Sequence, residues 1–401
     1  MADDVHLRPP DLSYPALFLR FLRFGVLAFG GPVAQIAMIR RELVEQERWI
    51  SSARFNRLLA VMQVLPGPEA HELCVHLGIH ARGRVGGLLA GLGFMLPGFA
   101  LMLLAAWAYF RFDIDRGLAG FVLIGAQAAV VALIVRAAHR IGEHVLADRG
   151  LWTIGVASAG ATLLGAPFWI ILPLGAAIYA LVRSGRRGAA ALLLVAGVGV
   201  VVVWNLARHG APTQTPAAGL LSSGGAWPLL FASGLKAGLL TFGGAYTAIP
   251  FLRQDVVGRG WLGDGTFLDG VALANVLPAP LIIFATFAGY AVGGFAGAVA
   301  ITAGVFLPAF AFSMIFYDRL EAVVSEPRVR AALDGVAAAV VGLIVATAIS
   351  LAVGLSGSPH PLASIAIAGA ALAALYVVRT RYAPPIVLLL AGLAGLGLAL
   401  V

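Results

Sequence analysis

Residues 14–38 read YPALFLRFLRFGVLAFGGPVAQIAM, and residues 228–251 read PLLFASGLKAGLLTFGGAYTAIPF. Each run is apolar and long enough for one membrane crossing of about 20 residues. Each carries a cation about ten residues in, Arg23 or Lys236, and each then meets a glycine pair, Gly30-Gly31 or Gly243-Gly244. A charge at that depth costs at least ~2.5–3.5 kcal/mol, and paired glycines loosen a helix. Finding both features twice, at matched positions, points to a duplicated membrane unit whose helices break.

The rest of the chain agrees. Of its 401 residues 60% are hydrophobic and 11% charged, against about 25% charged in soluble domains, so a soluble protein is excluded. The one cysteine, Cys74, excludes an internal disulfide and a cysteine-based metal cluster, and no cofactor is expected. The net charge of +8 is nearly all arginine in short connections. That reads as membrane topology, not nucleic-acid binding. The polar, acidic start predicts no cleavable signal peptide.

Hydropathy places about thirteen transmembrane segments, near 14–38, 57–79, 86–110, 118–138, 151–166, 168–182, 189–206, 228–251, 267–290, 293–317, 334–354, 361–378 and 384–401. The fifth and sixth are short enough to form one helical hairpin. The expected organisation is a polar N-terminal tail (1–12), a first membrane repeat (13–187), a linking span and loop (188–227) and a second repeat (228–401). Ordered matches carry the duplication. Arg23 pairs with Lys236 and Arg40-Arg41-Glu42 with Arg253-Gln254-Asp255. Leu65-Pro66-Gly67-Pro68 pairs with Leu277-Pro278-Ala279-Pro280, and Leu96-Pro97-Gly98-Phe99 with Leu307-Pro308-Ala309-Phe310. Gly125 and Ala-Val-Val at 129–131 pair with Gly335 and Ala-Val-Val at 339–341. The offset slips only from 213 to 210.

An unpaired seventh span between repeats of about six would start the second repeat upside down, the inverted-topology build of many secondary transporters. Arginines at 82, 84, 136, 140, 149, 183, 186, 187, 253, 259, 319, 328, 330, 379 and 381 fall on the cytoplasmic side if the N-terminus is inside and the C-terminus outside. Residues 39–57, with five arginines, break that rule. Segments 14–38 and 57–79 are therefore open to a re-entrant reading.

The chemistry sits at the breaks. Gly30-Gly31-Pro32 ends one half-helix and starts another, whose free N–H groups suit an anion. Pro66-Gly67-Pro68, Gly243-Gly244 and Pro278-Ala279-Pro280 are breaks of the same kind. Arg23 and Lys236, with no carboxylate adjacent in sequence, call for an anionic partner. Gln63 and its repeat partner Asn275 could donate amide hydrogen bonds to an oxyanion. Arg40 and Arg253, just beyond the glycine pairs, could gate the mouth. Glu69, Glu72 and His76 share a helix face in the first half only and would suit a proton relay. Trp49, Trp261 and Trp227 read as interfacial belt residues. A membrane hydrolase built on Glu69, Glu72 and His76 would need a nucleophile or metal triad, and no such motif is visible.

Together, Phe29-Gly30-Gly31-Pro32, Arg40 with Glu42, Leu65-Pro66-Gly67-Pro68, Leu96-Pro97-Gly98-Phe99 and their second-half copies resemble the chromate ion transporter family in its two-domain form, over about residues 14–401. Gln35 departs from the histidine frequent there, as does Ala279 from the middle glycine. The resemblance implies an all-α polytopic protein of the bacterial inner membrane that exports chromate, with sulfate as the look-alike oxyanion. The expected partners are that small oxyanion, the lipid bilayer and, optionally, a coupled proton. The expectation is that the oxyanion sits between the repeats, near Arg23 and Lys236.

Overall fold

The computed structural model describes residues 9–63, 65–208, 226–315, 326–378, 380 and 382–400. The expected linking loop at 210–225, Arg319, Arg379, Arg381 and most of the N-terminal tail lie outside the described residues. Every regular element among the described residues is helical. The first half holds α1 (Tyr14–Val26), α2 (Gly31–Ile39, running on as a π-turn over Arg40–Gln46), α3 (Ser52–Met62), α4 (Glu69–Arg111), α5 (Gly117–Val145), α6 (Arg149–Leu163) and α7 (Phe168–Arg183). After α8 (Arg187–Arg208) the pattern returns as α9 (Trp227–Leu239), α10 (Ala248–Val256), α11 (Asp264–Val276), α12 (Phe284–Ile315), α13 (Pro327–Gly354), α14 (Pro361–Val377) and α15 (Ala383–Gly397).

Local chemistry sets the boundaries. Ser13 caps α1, accepting from the Ala16 N–H at 3.4 Å, with Pro15 in the first turn. α1 cannot continue through Gly30 and Gly31, whose φ angles are +89° and +77°, and α9 is followed by Gly243 and Gly244 at +69° and +125°. Those angles suit glycine and strain other residues. The predicted segments 14–38, 57–79, 228–251 and 267–290 are thus each divided into two short helices. α2 and α10 have 9 residues each, about 14 Å at 1.5 Å per residue. That is half of a hydrocarbon core about 30 Å thick.

α4 and α12 are each folded on themselves. Arg82 (φ −145°) and Gly83 (φ +65°) leave the helical region, and a Cβ placed on Gly78 would lie 2.5 Å from the Gly86 carbonyl. Residues 69–81 are therefore a short limb running back along 84–111. Gly293 and Gly294 make the matching turn in α12, where a Cβ on Gly289 would lie 2.5 Å from the Gly297 carbonyl. Among the described residues five helices, α4, α5, α8, α12 and α13, are long and apolar enough to cross a membrane, with shorter apolar helices at α7, α14 and α15.

The halves interlock. α1 packs on α4 and α9 on α12, and α4 meets α12 at the centre. α5 packs against α14 and α15 of the other half, while α13 packs against α6 and α7. Glycine permits these crossings: a Cβ on Gly125 would fall 1.9 Å from the Ala391 carbonyl, and one on Gly335 would fall 2.4 Å from that of Gly175. Close backbone approach of this kind is how membrane helices gain dispersion contact where lipid offers no hydrophobic drive.

Candidate functional site

The four breaks meet in a crossed pattern. The Gly67 N–H, in the Pro66–Pro68 break, donates to the Thr241 carbonyl at 2.8 Å, just before Gly243-Gly244. The matching positions are Ala279, in the Pro278–Pro280 break, and Ala28, just before Gly30-Gly31. Their two carbonyls are bridged by one buried amide. Gln35 Nε2 donates to Ala28 at 3.0 Å and to Ala279 at 3.2 Å. Each half's glycine break therefore lies against the other half's proline break. A shared wall follows: Gly30, Gly31 and Pro32 line a space of about 150 Å³ with Asn275, Leu277 and Ala279.

That space adjoins a wide vestibule of about 1180 Å³, lined by Arg23, Arg41, Glu42 and Glu143 among others. Gly30, Val33, Arg136 and Arg140 line both. A third crevice of about 450 Å³ lies where the second half meets α6 and α7, with Phe168 of the first half and Arg253, Gln254, Leu343, Ala346 and Ser350 of the second in its wall.

Arg23 and Lys236 do not share a cavity. Arg23 lines the vestibule with its side chain 58% exposed and lies 2.5 Å from Glu42. Lys236 is 22% exposed, lies 2.5 Å from Asp255 and stands over the Phe168 ring at 4.7 Å. The carboxylate follows its cation by nineteen residues in each half. No carboxylate stands near either cation in sequence, yet the fold brings one to each. The partner is distant in sequence because the broken helix turns α2 and α10 back beside α1 and α9. Arg20 reaches both Glu42 and Glu47.

The remaining expected residues divide. Asn275 lines the small cavity, but its Nδ2 donates to the Val271 carbonyl at 2.9 Å and its Oδ1 accepts from Tyr246 at 2.8 Å. Its repeat partner Gln63 is exposed at the end of α3 and lines none of these three cavities. Arg253 holds Asp264 through two hydrogen bonds of 2.7 and 2.8 Å, and Arg40 reaches Asn56 at 3.3 Å. Both tie a post-glycine half-helix to the next helix. Trp49, expected at the interface, is fully buried against Phe21, and its indole N–H is satisfied by Glu47 at 2.9 Å.

Glu69, Glu72 and His76 are buried in the short limb of α4. Neither Glu72 oxygen has a hydrogen-bond partner among the described residues. Its Oε1 lies so close to Gly67 that a Cβ there would stand 2.3 Å away. The neighbouring His71 ring is flanked edge-on by Phe306 and Phe310 at 4.9 and 4.7 Å. The matched positions in the second half, Leu281, Phe284 and Ala288, are apolar.

Two matched halves, crossed broken helices and cation-lined crevices define a multi-pass, all-helical membrane protein. The sequence model of the chromate transporter family matches residues 15–181 and again 228–396, so the chain belongs to that family. A Pseudomonas aeruginosa protein named "Chromate transport protein" is 60% identical over 388 residues, covering 96% of this chain and 93% of that one. A protein of the same name from Cupriavidus metallidurans is 34% identical, covering 88% and 85%. A "Probable chromate transport protein" of Synechococcus elongatus is 30% identical, covering 96% of each. No solved structure matches the chain significantly.

Proposed function

We propose that the chain is a secondary transporter, not an enzyme, that exports chromate across the bacterial inner membrane, with its N-terminus cytoplasmic and its C-terminus periplasmic. The observation that carries this reading is the crossed joint: Gly67 on Thr241, and Gln35 between Ala28 and Ala279. A joint made of backbone groups at half-helix ends can hold an oxyanion with N–H groups. It can also be opened or shut by rocking one half on the other. In this reading the halves are inverted, and access alternates between the vestibule and the second-half crevice.

The residues take separate roles. Gly30, Gly31 and Pro32 present the N-terminal turn of α2 to the oxyanion, with Asn275 on the facing wall. Pro66, Gly67, Pro68, Gly243, Gly244, Pro278 and Pro280 form the joint. Arg23 attends the vestibule mouth, exchanging Glu42 for the passing anion, while Lys236, paired with Asp255 and standing over Phe168, braces the wall of the second crevice. Arg40 and Arg253 steady the half-helices that move. Glu69, Glu72 and His76 provide the groups that a coupled proton would occupy. Coupling is not required for export: moving a dianion out of a negative-inside cell releases about 4.6 kcal/mol per 100 mV, from ~2.3 per charge.

The test is radiolabelled chromate flux into liposomes containing only the purified chain, with a valinomycin potential imposed. The expected result is flux that rises as the destination side is made positive and that excess sulfate slows weakly. Flux equal to that of protein-free liposomes overturns the reading. Flux of sulfate faster than chromate reassigns the substrate to sulfate.

A further inference from the structure

The vestibule and the second-half crevice are copies of one another. Arg136 and Arg140 of α5 line the vestibule, and with Leu133 and Ala137 the small cavity behind it, while Leu343, Ala346, Thr347 and Ser350 of α13, each 210 positions later, line the crevice. Arg41 of the first half likewise matches Gln254. The backbone has been kept and the charge has not. Arg253 is the cation among the residues lining the second crevice, and Asp264 already holds it through both nitrogens.

Arg136 and Arg140 are placed differently. They stand one turn apart on one face of α5, and both line the vestibule and the small cavity behind it. Neither makes an ion pair among the described residues. Among the described residues lining the vestibule the carboxylates are Glu42 and Glu143, and Glu143, 58% exposed, is left largely to solvent. Glu42 is held by Arg20 and Arg23, and Glu143 lies 3.6 Å from His139. Tyr246 and Tyr376, the other polar rings nearby, are engaged with Asn275 and His139. The small cavity holds no carboxylate, and its wall is completed by Gly30, Gly31 and Pro32, the start of α2, which no side chain caps. Two unpaired guanidinium forks thus face an uncapped helix start across a space of about 150 Å³. A guanidinium presents its donors in a flat fork that fits two oxygens of an oxyanion at once.

We propose that Arg136 and Arg140 form a capture site for a doubly charged tetrahedral oxyanion between the vestibule and the Gly30–Pro32 break, a site the second half does not repeat. This rests on the transport reading above. Loading is then favoured from the vestibule, and release from the crevice where Ala346 and Ser350 stand.

Equilibrium dialysis of the full chain in nanodiscs against radiolabelled chromate tests it. Arg136→Gln and Arg140→Gln are each expected to raise Kd at least about tenfold. Arg136→Lys, which keeps the charge but not the fork, should raise it a few-fold. Arg186→Gln, at a residue lining none of the three cavities, should leave it unchanged. Arg140 is exposed, so its variant keeps the fold even if Arg136→Gln does not. A Kd for Arg140→Gln and Arg136→Lys within twofold of the parent overturns the capture site while leaving the transport reading intact. A parent chain that neither binds nor moves chromate or sulfate overturns both.

Discussion

The Arg23–Glu42 and Lys236–Asp255 pairs occupy the same place in two copies of one unit, with the same nineteen-residue spacing and the same 2.5 Å contact. They differ in surroundings. Arg23 opens onto the vestibule, whereas Asp255 is 5% exposed beneath Lys236 and Phe168. Duplication has preserved the contact, and burial decides what it is worth. An exposed pair contributes ~0–1 kcal/mol, while removing one partner of a buried pair costs ~3–5 kcal/mol because the other charge is stranded. The first pair is free to open for a passing anion; the second is part of the frame.

The largest expected effect follows from that contrast. Lys236→Ala should lower folded yield and the thermal midpoint in detergent sharply, and adding Asp255→Asn should recover most of the loss. A mild Lys236→Ala phenotype would mean that Arg259, 3.7 Å from Asp255, already neutralises the carboxylate.

Next is the contrast between the middle residues of the two proline breaks. Gly67 has φ +147° and no room for a Cβ beside Glu72, whereas Ala279 already carries one. Gly67→Ala should cost about 1–3 kcal/mol and cut chromate flux more than tenfold, while Ala279→Gly should keep most flux. Equal effects from the two would show that the breaks are interchangeable.

Gln35 sharpens the same comparison, since it serves one crossing by side chain where Gly67 serves the other by backbone. Gln35→Ala should cost about 1 kcal/mol, the worth of a buried hydrogen bond, and should alter flux without loss of protein. Smallest of all, Arg23→Ala should shift stability by no more than ~1 kcal/mol while weakening chromate uptake from the vestibule side. Vesicles of both orientations would separate those two readouts.

Much of this arrangement was legible in the chain. Gly30-Gly31-Pro32 and Leu65-Pro66-Gly67-Pro68 are local signals, and their ordered second copies place the breaks and the duplication before any coordinates. What stayed hidden is non-local. A hydropathy window of about 19 residues averages across half-helices such as the 9-residue α2, so divided segments look like full spans. Glu42 sits in the motif that reveals the duplication, yet its contact with Arg23 depends on the angle at the glycine pair. Arg136 and Arg140 were masked by a boundary. Ending the span at 138 puts them at or beyond its end, but α5 runs to Val145 and carries them along a cavity wall. Their absence from the matched positions Ala346 and Ser350 is the signal in the sequence that could have marked them.

The central claim is that substrate passes where the broken helices of one half meet the other half. Val33 of α2 and Thr380 before α15, one from each half, both line the vestibule. With Cys74→Ser as background, Val33→Cys and Thr380→Cys can be bridged by a bifunctional methanethiosulfonate reagent and released by reductant. The account predicts that bridging stops chromate flux into proteoliposomes and that reduction restores it, while either cysteine alone stays active after labelling with a small neutral reagent. Complete bridging with undiminished flux would contradict it.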